Sequence, residues 1–171
     1  MSAIATTARQ ASAHPRLPPF QRFLDAHRDA VWRFLLFSVG PVEADDCFQE
    51  TFISALRAYP RLRPDSNLRA WVLTIAQRKA LDAHRARSRR AFPVAEPATL
   101  DGRAASAPQE QDEGLWQAVG ELPPRQRSAV LLRYVADLPH REIATAVGCS
   151  EEAARRSLHE GLQKLRKVVQ P

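Results

Sequence analysis

A segment near the middle of the chain, residues 91–113, divides the sequence into two blocks. The segment is rich in Ala, Pro, Ser and Gln, it lacks helical periodicity, and it carries five acidic residues against one basic residue. This composition is typical of a tether between domains rather than of a packed element. We therefore predict a flexible acidic linker at 91–113 between two small domains, with a disordered tail at 1–17. The first block is residues 18–90 and the second block is residues 114–171.

Within both blocks, apolar residues recur at the spacing of an amphipathic helix. The first block holds three such segments, separated by Gly40–Pro41 and by a loop from Pro60 to Pro64. The second block holds four, punctuated by Pro123–Pro124 and Pro139. No segment shows the alternation of a strand, so the predicted fold class is all-α. Residues expected to face inward include Phe48, Phe52, Leu56 and Tyr59 in the second helix and Val130, Leu131 and Tyr134 in a helix at Arg125–Leu138.

Composition argues against several classes of protein. The net charge is +6, which fits a polyanionic partner. The cysteines Cys47 and Cys149 are far apart and lack the spacing of a metal site, so we interpret them as small buried hydrophobic residues rather than redox groups. No apolar run approaches the length of a membrane span, and the N-terminal residues lack the apolar core of a signal peptide. We therefore expect a cytoplasmic protein without membrane insertion, cofactor or metal.

The sequence from His140 onward has the residue types of a helix-turn-helix at matching offsets. Ala144 provides the small side chain that two steeply crossing helices need, and Gly148 permits the sharp turn between them. Ser150 is placed to cap the second helix. The outward positions of that helix are Arg155, Arg156, His159, Glu160 and Gln163. Because such a helix contacts bases through its N-terminal half, the pattern predicts a DNA-reading surface.

An alternative interpretation of this helix is a solvated face held by ion pairs. Glu151 and Arg155, and likewise Glu152 and Arg156, are four residues apart in the favourable acid-first order. Exposed pairs of this kind stabilise a helix by only about 0.3 to 0.5 kcal/mol each, so the arginines can exchange them for DNA. Because a basic stretch and an acidic linker lie in the same chain, we favour DNA reading.

A second basic surface is predicted at the end of the first block. Residues 78–90 contain six Lys or Arg and one acid, which suits contact with a nucleic-acid backbone. Trp71, on the same predicted helix, is by itself more typical of a core residue. Beside this basic run it is also a candidate for stacking on exposed bases.

The face opposite the apolar stripe of the second helix is a candidate docking surface. It consists of Asp46, Gln49, Ile53 and Arg57. Ile53 is an apolar residue among polar neighbours, which indicates a protein partner. A metal-dependent nuclease at Asp46 and Glu50 is an alternative. Since no third carboxylate or histidine is placed near these two acids, the pattern favours a docking surface.

Three segments in this order resemble one family. The segments "ADDCFQETFISALRAY", "LRAWVLTIAQRKALDAHRAR" and "ELPPRQRSAVLLRYVADLPHREIATAVGCSEEAARRSLHEGLQKLR" are similar to those of bacterial extracytoplasmic-function (group 4) sigma factors of the sigma-70 family. The resemblance covers about residues 20–169 apart from the linker. It implies a sigma-2 domain and a sigma-4 helix-turn-helix domain that together bring core RNA polymerase to a promoter.

The resemblance also implies roles for individual residues. In sigma-2, the clamp coiled coil of core polymerase is bound around Asp46, Gln49, Glu50 and Ile53. The minus-10 element is recognised and melted through Arg69, Trp71, Arg78, Lys79 and Arg85. In sigma-4, which also meets the polymerase flap, the minus-35 element is read by Arg155, Arg156, Ser157 and His159. The family further implies control by an anti-sigma factor, a free protein that is monomeric, and no covalent chemistry.

The chain departs from the family pattern at three positions. Arg78 stands where many members have Asn in a pocket for a flipped minus-10 base, which changes the expected base preference. Pro139 replaces the usual Ser or Thr cap, and Glu160 lies where many members have a basic residue. The linker shows no trace of the middle domain of larger sigma factors. A rival interpretation from another class is a stand-alone repressor or activator, which uses the same helix-turn-helix, dimerises, and needs no polymerase contact.

Overall fold

The structure, a computed structural model, describes residues 16–90 and 113–169. These residues form seven α-helices and a short 3-10 turn and contain no strand, which confirms the predicted all-α class. The helices are α1 (Phe20–Val39), α2 (Pro41–Ala58), α3 (Leu68–Arg90), α4 (Glu113–Glu121), α5 (Pro124–Tyr134), α6 (His140–Val147) and α7 (Glu151–Val169), and the 3-10 turn is Tyr59–Arg61. Most of the predicted tail and all but the last residue of the predicted linker lie outside the described residues.

The first block is a bundle of α1, α2 and α3. Gly40 adopts a φ of +85°, a conformation that a glycine takes without steric cost, and Pro41 opens α2 at the position where its missing N–H is not needed. The core of this three-helix bundle is aromatic at one end, where the ring of Phe23 lies 5.1 Å from that of Tyr59 and 5.7 Å from that of Trp71. Fully buried aliphatic side chains, which include Val31, Leu35, Val72 and Leu73, fill the rest.

In the second block, α4 to α7 pack around aliphatic side chains that continue the core of the first block. Leu131, Leu132, Leu138 and Ile143 are fully buried there. The helix predicted at Arg125–Leu138 ends early, at Tyr134. The apolar pattern continues past this point because Leu138 still enters the core, but it does so from a turn in which its N–H donates to the Leu132 carbonyl at 2.9 Å.

Two residues predicted to face inward are exposed, and these predictions are wrong. Leu56 is 54% exposed because Ala55, which is fully buried, lies at the centre of the inner face of α2. Tyr134 is 64% exposed at the last position of α5, where Leu131 already fills the core. The helical spacing itself is correct, because Phe52, Tyr59, Val130 and Leu131 are buried as predicted, and only these two positions turn outward.

Asp137 adopts a φ of +54° in the turn between α5 and α6, and its side chain is exposed. A residue with a Cβ is strained in this left-handed region, although Asp tolerates it better than most. We expect Asp137→Gly to raise the free energy of unfolding by about 0.5 to 1 kcal/mol, and Asp137→Val to lower it by about 1 to 2 kcal/mol. Urea unfolding of the three proteins checks this, and the prediction is wrong if the valine variant is as stable as the glycine variant.

The two blocks pack against each other. α3 packs on α6, α1 packs on α4 and α5, and the buried apolar side chains of both blocks form one continuous cluster.

His84 lies between the blocks, with its Nε2 3.4 Å from Nη1 of Arg127. Burial lowers the pKa of His84 below its ordinary 6.5, and the guanidinium groups of Arg127 and Arg87 lower it further, against opposite effects from the Ser38 backbone and Glu43. The imidazole is therefore held neutral in the folded chain at neutral pH.

We expect the free energy of unfolding to fall as the pH drops below about 6.5. The unfolded chain protonates His84 near that pH, whereas the folded chain does so only at lower pH, so protons favour the unfolded state. Burial and the charge of Arg69 also lower the pKa of His27, which adds to the slope. Urea titrations between about pH 5 and 8 measure it. His84→Gln should reduce the slope, whereas His159→Gln, on the exposed face of α7, serves as the control. An equal slope in wild type and His84→Gln contradicts this account.

Candidate nucleic-acid and partner interfaces

The turn between α6 and α7 has the geometry of a helix-turn-helix. Gly148 ends α6 in the left-handed conformation, with φ of +73° and ψ of 46°. The backbone N–H groups of Gly148 and Cys149 both donate to the carbonyl of Ala144, at 2.9 and 3.0 Å. Ser150 Oγ accepts a hydrogen bond from the Ala153 N–H at 3.2 Å, which caps α7. The roles predicted for Gly148 and Ser150 in the fold are thus confirmed.

At the start of α6, Pro139 provides no side-chain cap. Its carbonyl accepts hydrogen bonds from the N–H groups of Glu142 and Ile143, at 2.9 and 3.0 Å. The helix therefore begins without the usual hydroxyl, and its first turn depends on backbone bonds and on the buried side chain of Ile143.

The outer face of α7 presents two arginines and a histidine. Arg155 pairs with Glu151 at 2.5 Å and Arg156 with Glu152 at 3.3 Å, and both arginine side chains are about two-thirds exposed. His159 is exposed beside Gln163, with their nitrogen atoms 3.0 Å apart. The free protein thus contains the predicted ion pairs. Because they are exposed and weak, they leave the arginines available to a partner.

Ser157 and Glu160 lie to one side of this face. Ser157 is half-buried and, like Glu160, lines a cleft shared with α3. Glu160 accepts a hydrogen bond from Gln126 of α5 at 2.8 Å. The acidic residue at this position therefore joins α7 to α5, and the structure does not place Ser157 on the same exposed face as Arg155 and Arg156.

The basic residues of α3 have different environments. Arg78 is exposed, and Arg85 is exposed and pairs with Asp82 at 3.3 Å. Lys79 pairs with Glu50 of α2 at 3.1 Å. The structure therefore brings together one residue predicted to bind DNA and one predicted to bind polymerase, and their pair ties α2 to α3.

Arg69 and Trp71 lie at the N-terminal end of α3 and are half-buried. Trp71 packs against Phe23 and Tyr59, as expected for a core residue. Arg69 donates from Nε to the carbonyl of Ala136, in the second block, at 2.8 Å. Both side chains are engaged by the protein itself in this state.

The outer face of α2 is more apolar than the sequence indicated. Asp46 and Gln49 are exposed as expected, and Ile53 is 49% exposed. Val42 and Leu56 add two more apolar side chains, 68% and 54% exposed, and helical geometry places both on the same side as Ile53. We call Val42, Ile53 and Leu56 the α2 apolar patch. Val42 was not among the residues predicted for this face. A helical wheel with Ala55 at the centre of the buried face places Val42 on the exposed side.

Among residues 16–90 and 113–169, no group of three or more His, Cys, Asp and Glu side chains is arranged to hold a metal ion. Glu50, one of the two acids of the alternative nuclease site, forms an ion pair with Lys79.

The Cys47 thiol is not reactive in this fold. Burial raises the pKa of the Cys47 thiol to about 11, and the nearby acids, of which Glu43 has the largest effect, contribute to the rise. The sulfur therefore stays protonated and packs as an apolar side chain. Cys149 is half-buried, and both cysteines are free.

None of the described helices has an apolar stretch long enough to cross a bilayer.

Two family models match the chain, Sigma-70 region 2 over residues 23–90 and Sigma-70, region 4 over residues 112–165. The chain is 34% identical over 155 residues to the RNA polymerase sigma factor CarQ of Myxococcus xanthus, which covers 88% of each protein. It is 35% identical over 161 residues to the ECF RNA polymerase sigma factor SigD of Mycobacterium tuberculosis, which covers 85% of this chain and 74% of SigD.

Two solved structures share the fold. The sigma factor RpoE of Bartonella quintana, crystallised with the anti-sigma factor NepR, superposes with a TM-score of 0.76 at 20% identity and covers 88% of this chain and 96% of RpoE. CnrH, in complex with the cytosolic domain of CnrY, superposes with a TM-score of 0.64 at 21% identity and covers 88% of this chain and 86% of CnrH. Family models and relatives agree: the chain belongs to the sigma-70 family and is an RNA polymerase sigma factor of the extracytoplasmic-function type.

Proposed function

We propose that this sigma factor binds core RNA polymerase through the outer face of α2 and directs it to a promoter read by α7. The observation that carries the proposal is the capped turn into α7, whose N-terminal half exposes Arg155 and Arg156 away from the protein core. A guanidinium can grip a guanine with two hydrogen bonds in the major groove. His159, exposed one turn further along, extends the same surface.

The first block supplies the polymerase contact and the downstream promoter contact. Asp46, Gln49 and Glu50 lie along α2 between Val42 and Ile53, so this face combines exposed apolar and polar side chains, as protein interfaces do. Arg78 and Arg85 of α3 are exposed and can bind the phosphate backbone of a melted DNA strand. We assign sigma-2 to residues 18–90, the linker to 91–113 and sigma-4 to 114–171.

We expect control by an anti-sigma factor that covers these surfaces. RpoE was solved with the anti-sigma factor NepR, and CnrH with the cytosolic domain of CnrY. A chain of the same family and fold offers an equivalent surface. We expect the protein to act in the cytoplasm, where core polymerase and promoters are found, and to have no catalytic residues of its own.

Run-off transcription with core RNA polymerase across a promoter library tests the proposal. We expect core polymerase to initiate from a defined subset of promoters only when this protein is present.

A pull-down with core polymerase distinguishes the proposed sigma factor from a stand-alone repressor or activator. If the protein shifts duplex DNA alone and fails to bind core polymerase, the stand-alone regulator is the correct function.

A further inference from the structure

One arginine of the basic run on α3 is bound by the first block itself. Arg87 donates to both carboxylate oxygens of Glu43 in α2, from Nε at 3.2 Å and from Nη2 at 2.7 Å. The same Nη2 donates to the carbonyl of Val39, the last residue of α1, at 3.0 Å. Two hydrogen bonds between one guanidinium and one carboxylate make a strong and geometrically specific pair. Arg87 therefore ties α3 to the junction between α1 and α2.

The position of Arg87 around α3 separates it from the other exposed arginines of that helix. At about 100° per residue, three exposed arginines fall within about 40° of one another around the helix. We call these three residues the α3 arginine face: Arg78, Arg85 and Arg89. Arg87 lies about 180° from the centre of this face, in line with Ala76 and Ala80, which are buried. A DNA strand bound along the α3 arginine face is therefore on the far side of the helix from Arg87.

The last turns of α3 have little apolar packing to hold them. Ala80 is the last buried residue of the helix, because residues 81–89 are all half-buried or exposed. Arg85 and Arg89, two members of the α3 arginine face, belong to this stretch. A helix end with few buried contacts opens easily unless another interaction restrains it. The bonds from Arg87 to Glu43 and Val39 provide such a restraint.

A second ion pair joins the same two helices about two turns away. Nζ of Lys79 lies 3.1 Å from a carboxylate oxygen of Glu50. Glu43 precedes Glu50 on α2, whereas its partner Arg87 follows Lys79 on α3, so the two pairs match the antiparallel course of the helices. Glu43 is also the less exposed of the two acids, with 27% of its side chain exposed against 63% for Glu50. The pair between Glu43 and Arg87 is therefore the stronger connection.

We propose that Arg87 is a positioning residue for promoter binding, which acts through Glu43 to hold the end of α3 where the α3 arginine face meets DNA. The proposal rests on the function proposed above. Glu43 directly follows Val42 of the α2 apolar patch, so the helix that faces polymerase also carries the carboxylate that orients the helix facing DNA. Removal of either partner should therefore weaken promoter binding, although a carboxylate has no attraction for DNA.

Glu43→Gln separates positioning from direct contact with DNA. It removes a negative charge, so electrostatic attraction alone predicts promoter binding that is unchanged or tighter. We expect instead that Glu43→Gln and Arg87→Gln each raise the Kd of preformed holoenzyme for its promoter by about three- to tenfold. The double variant should be no weaker than Arg87→Gln, because the two residues act as one unit. If Glu43→Gln binds the promoter as tightly as the unchanged protein does, the proposal is overturned.

Two controls accompany these variants. Holoenzyme is formed with an excess of sigma factor, so that affinity for core polymerase does not enter the measured Kd. Asp29→Asn removes an exposed acid from α1 and should leave promoter affinity unchanged. A loss with Asp29→Asn as large as that with Glu43→Gln means that the bond to Arg87 is not the cause.

The salt dependence of promoter binding provides a second readout. Arg89→Gln, which removes a charge from the α3 arginine face, should lower the slope of log Kobs against log salt concentration by about one. Glu43→Gln and Arg87→Gln should change this slope equally, because both release the same end of α3. A slope that falls with Arg87→Gln and not with Glu43→Gln assigns Arg87 to a phosphate contact and overturns the proposal.

Hydrogen exchange in the free protein measures the restraint itself. The backbone amides of residues 85–89 should exchange about three- to tenfold faster in Glu43→Gln and in Arg87→Gln. Glu43→Arg combined with Arg87→Glu re-forms the pair in reverse, and it should restore slow exchange and the promoter affinity that Arg87→Glu alone loses. Circular dichroism confirms that each variant keeps its helices. Exchange that stays slow in both glutamine variants contradicts the proposal.

These measurements also distinguish failure of this proposal from failure of the proposed function. If the unchanged protein does not direct core polymerase to any promoter, the proposed function fails. The exchange rates of residues 85–89 in the free protein then still decide whether Glu43 holds the end of α3.

Discussion

Replacing Arg155 or Arg156 with alanine should reduce discrimination for the upstream promoter element by about 1 to 3 kcal/mol, or roughly 5- to 150-fold. Both guanidinium groups lie on the exposed face of α7, in the half that meets bases in a helix-turn-helix. The stability of the free protein should change little, because each substitution removes an exposed ion pair and introduces a better helix former. Loss of promoter selection will then reflect lost recognition rather than unfolding.

The measurement is holoenzyme binding to the cognate promoter and to versions with each upstream base pair changed. Arg155→Lys keeps the charge but cannot grip a base with two parallel hydrogen bonds, so it should lose most of the discrimination at one position. Lys164→Ala removes one exposed charge from the same helix, outside the proposed reading face, and is the matched control. If Arg155→Ala weakens binding equally on every sequence, the residue contacts phosphate, and the base-reading assignment is wrong.

Much of the second block could be predicted because local chemistry determines it. The left-handed turn at Gly148 and the cap at Ser150 depend on residues a few positions apart, and both occur in the structure. The end of α5 was less predictable. Apolar residues continue the helical spacing up to Leu138, and no neighbouring residue in the sequence predicts the positive φ of Asp137. That conformation is set by the tertiary requirement that Leu138 enter the core from a turn.

The packing of the blocks could not be predicted from the pattern. Gln77, Ser128 and Arg127 belong to residue types that usually lie on the surface, yet Gln77 and Ser128 are buried and Arg127 is half-buried where the two blocks meet. Each is stable there only because its partner lies on a segment far away in the chain. The same limit applies to Lys79 and Glu50, which were assigned to different surfaces and which the fold pairs at 3.1 Å.

The α2 apolar patch matters for function because it exposes three large apolar side chains on one helix face. Single exposed apolar residues are ordinary, but several on one helix face among polar side chains indicate a contact surface. Ile53 lies between Val42 and Leu56 along the helix, about one turn before Leu56, and at 49% exposure it is the least exposed of the three. A residue at the centre of an interface, shielded by its neighbours, is where binding energy concentrates.

We therefore expect Ile53→Asp to weaken binding to core RNA polymerase by at least about 2 kcal/mol, or roughly 30-fold, because it places an unpaired charge in a desolvated apolar contact. The helix should persist, since the new acid lies four residues before Arg57 in the favourable order for an ion pair. Ile53→Val, which keeps an apolar surface, should bind nearly as the wild type does.

Val168→Asp provides the matched control, because it adds the same charge to an apolar residue of α7 that is 58% exposed and remote in sequence from α2. Affinity for core polymerase is measured by fluorescence anisotropy of the labelled sigma factor, and helix content by circular dichroism. The expected order of affinity is wild type and Ile53→Val first, then Val168→Asp with a small loss, then Ile53→Asp. If Ile53→Asp and Val168→Asp lose affinity equally, added negative charge alone explains the effect, and α2 is not the polymerase-binding face.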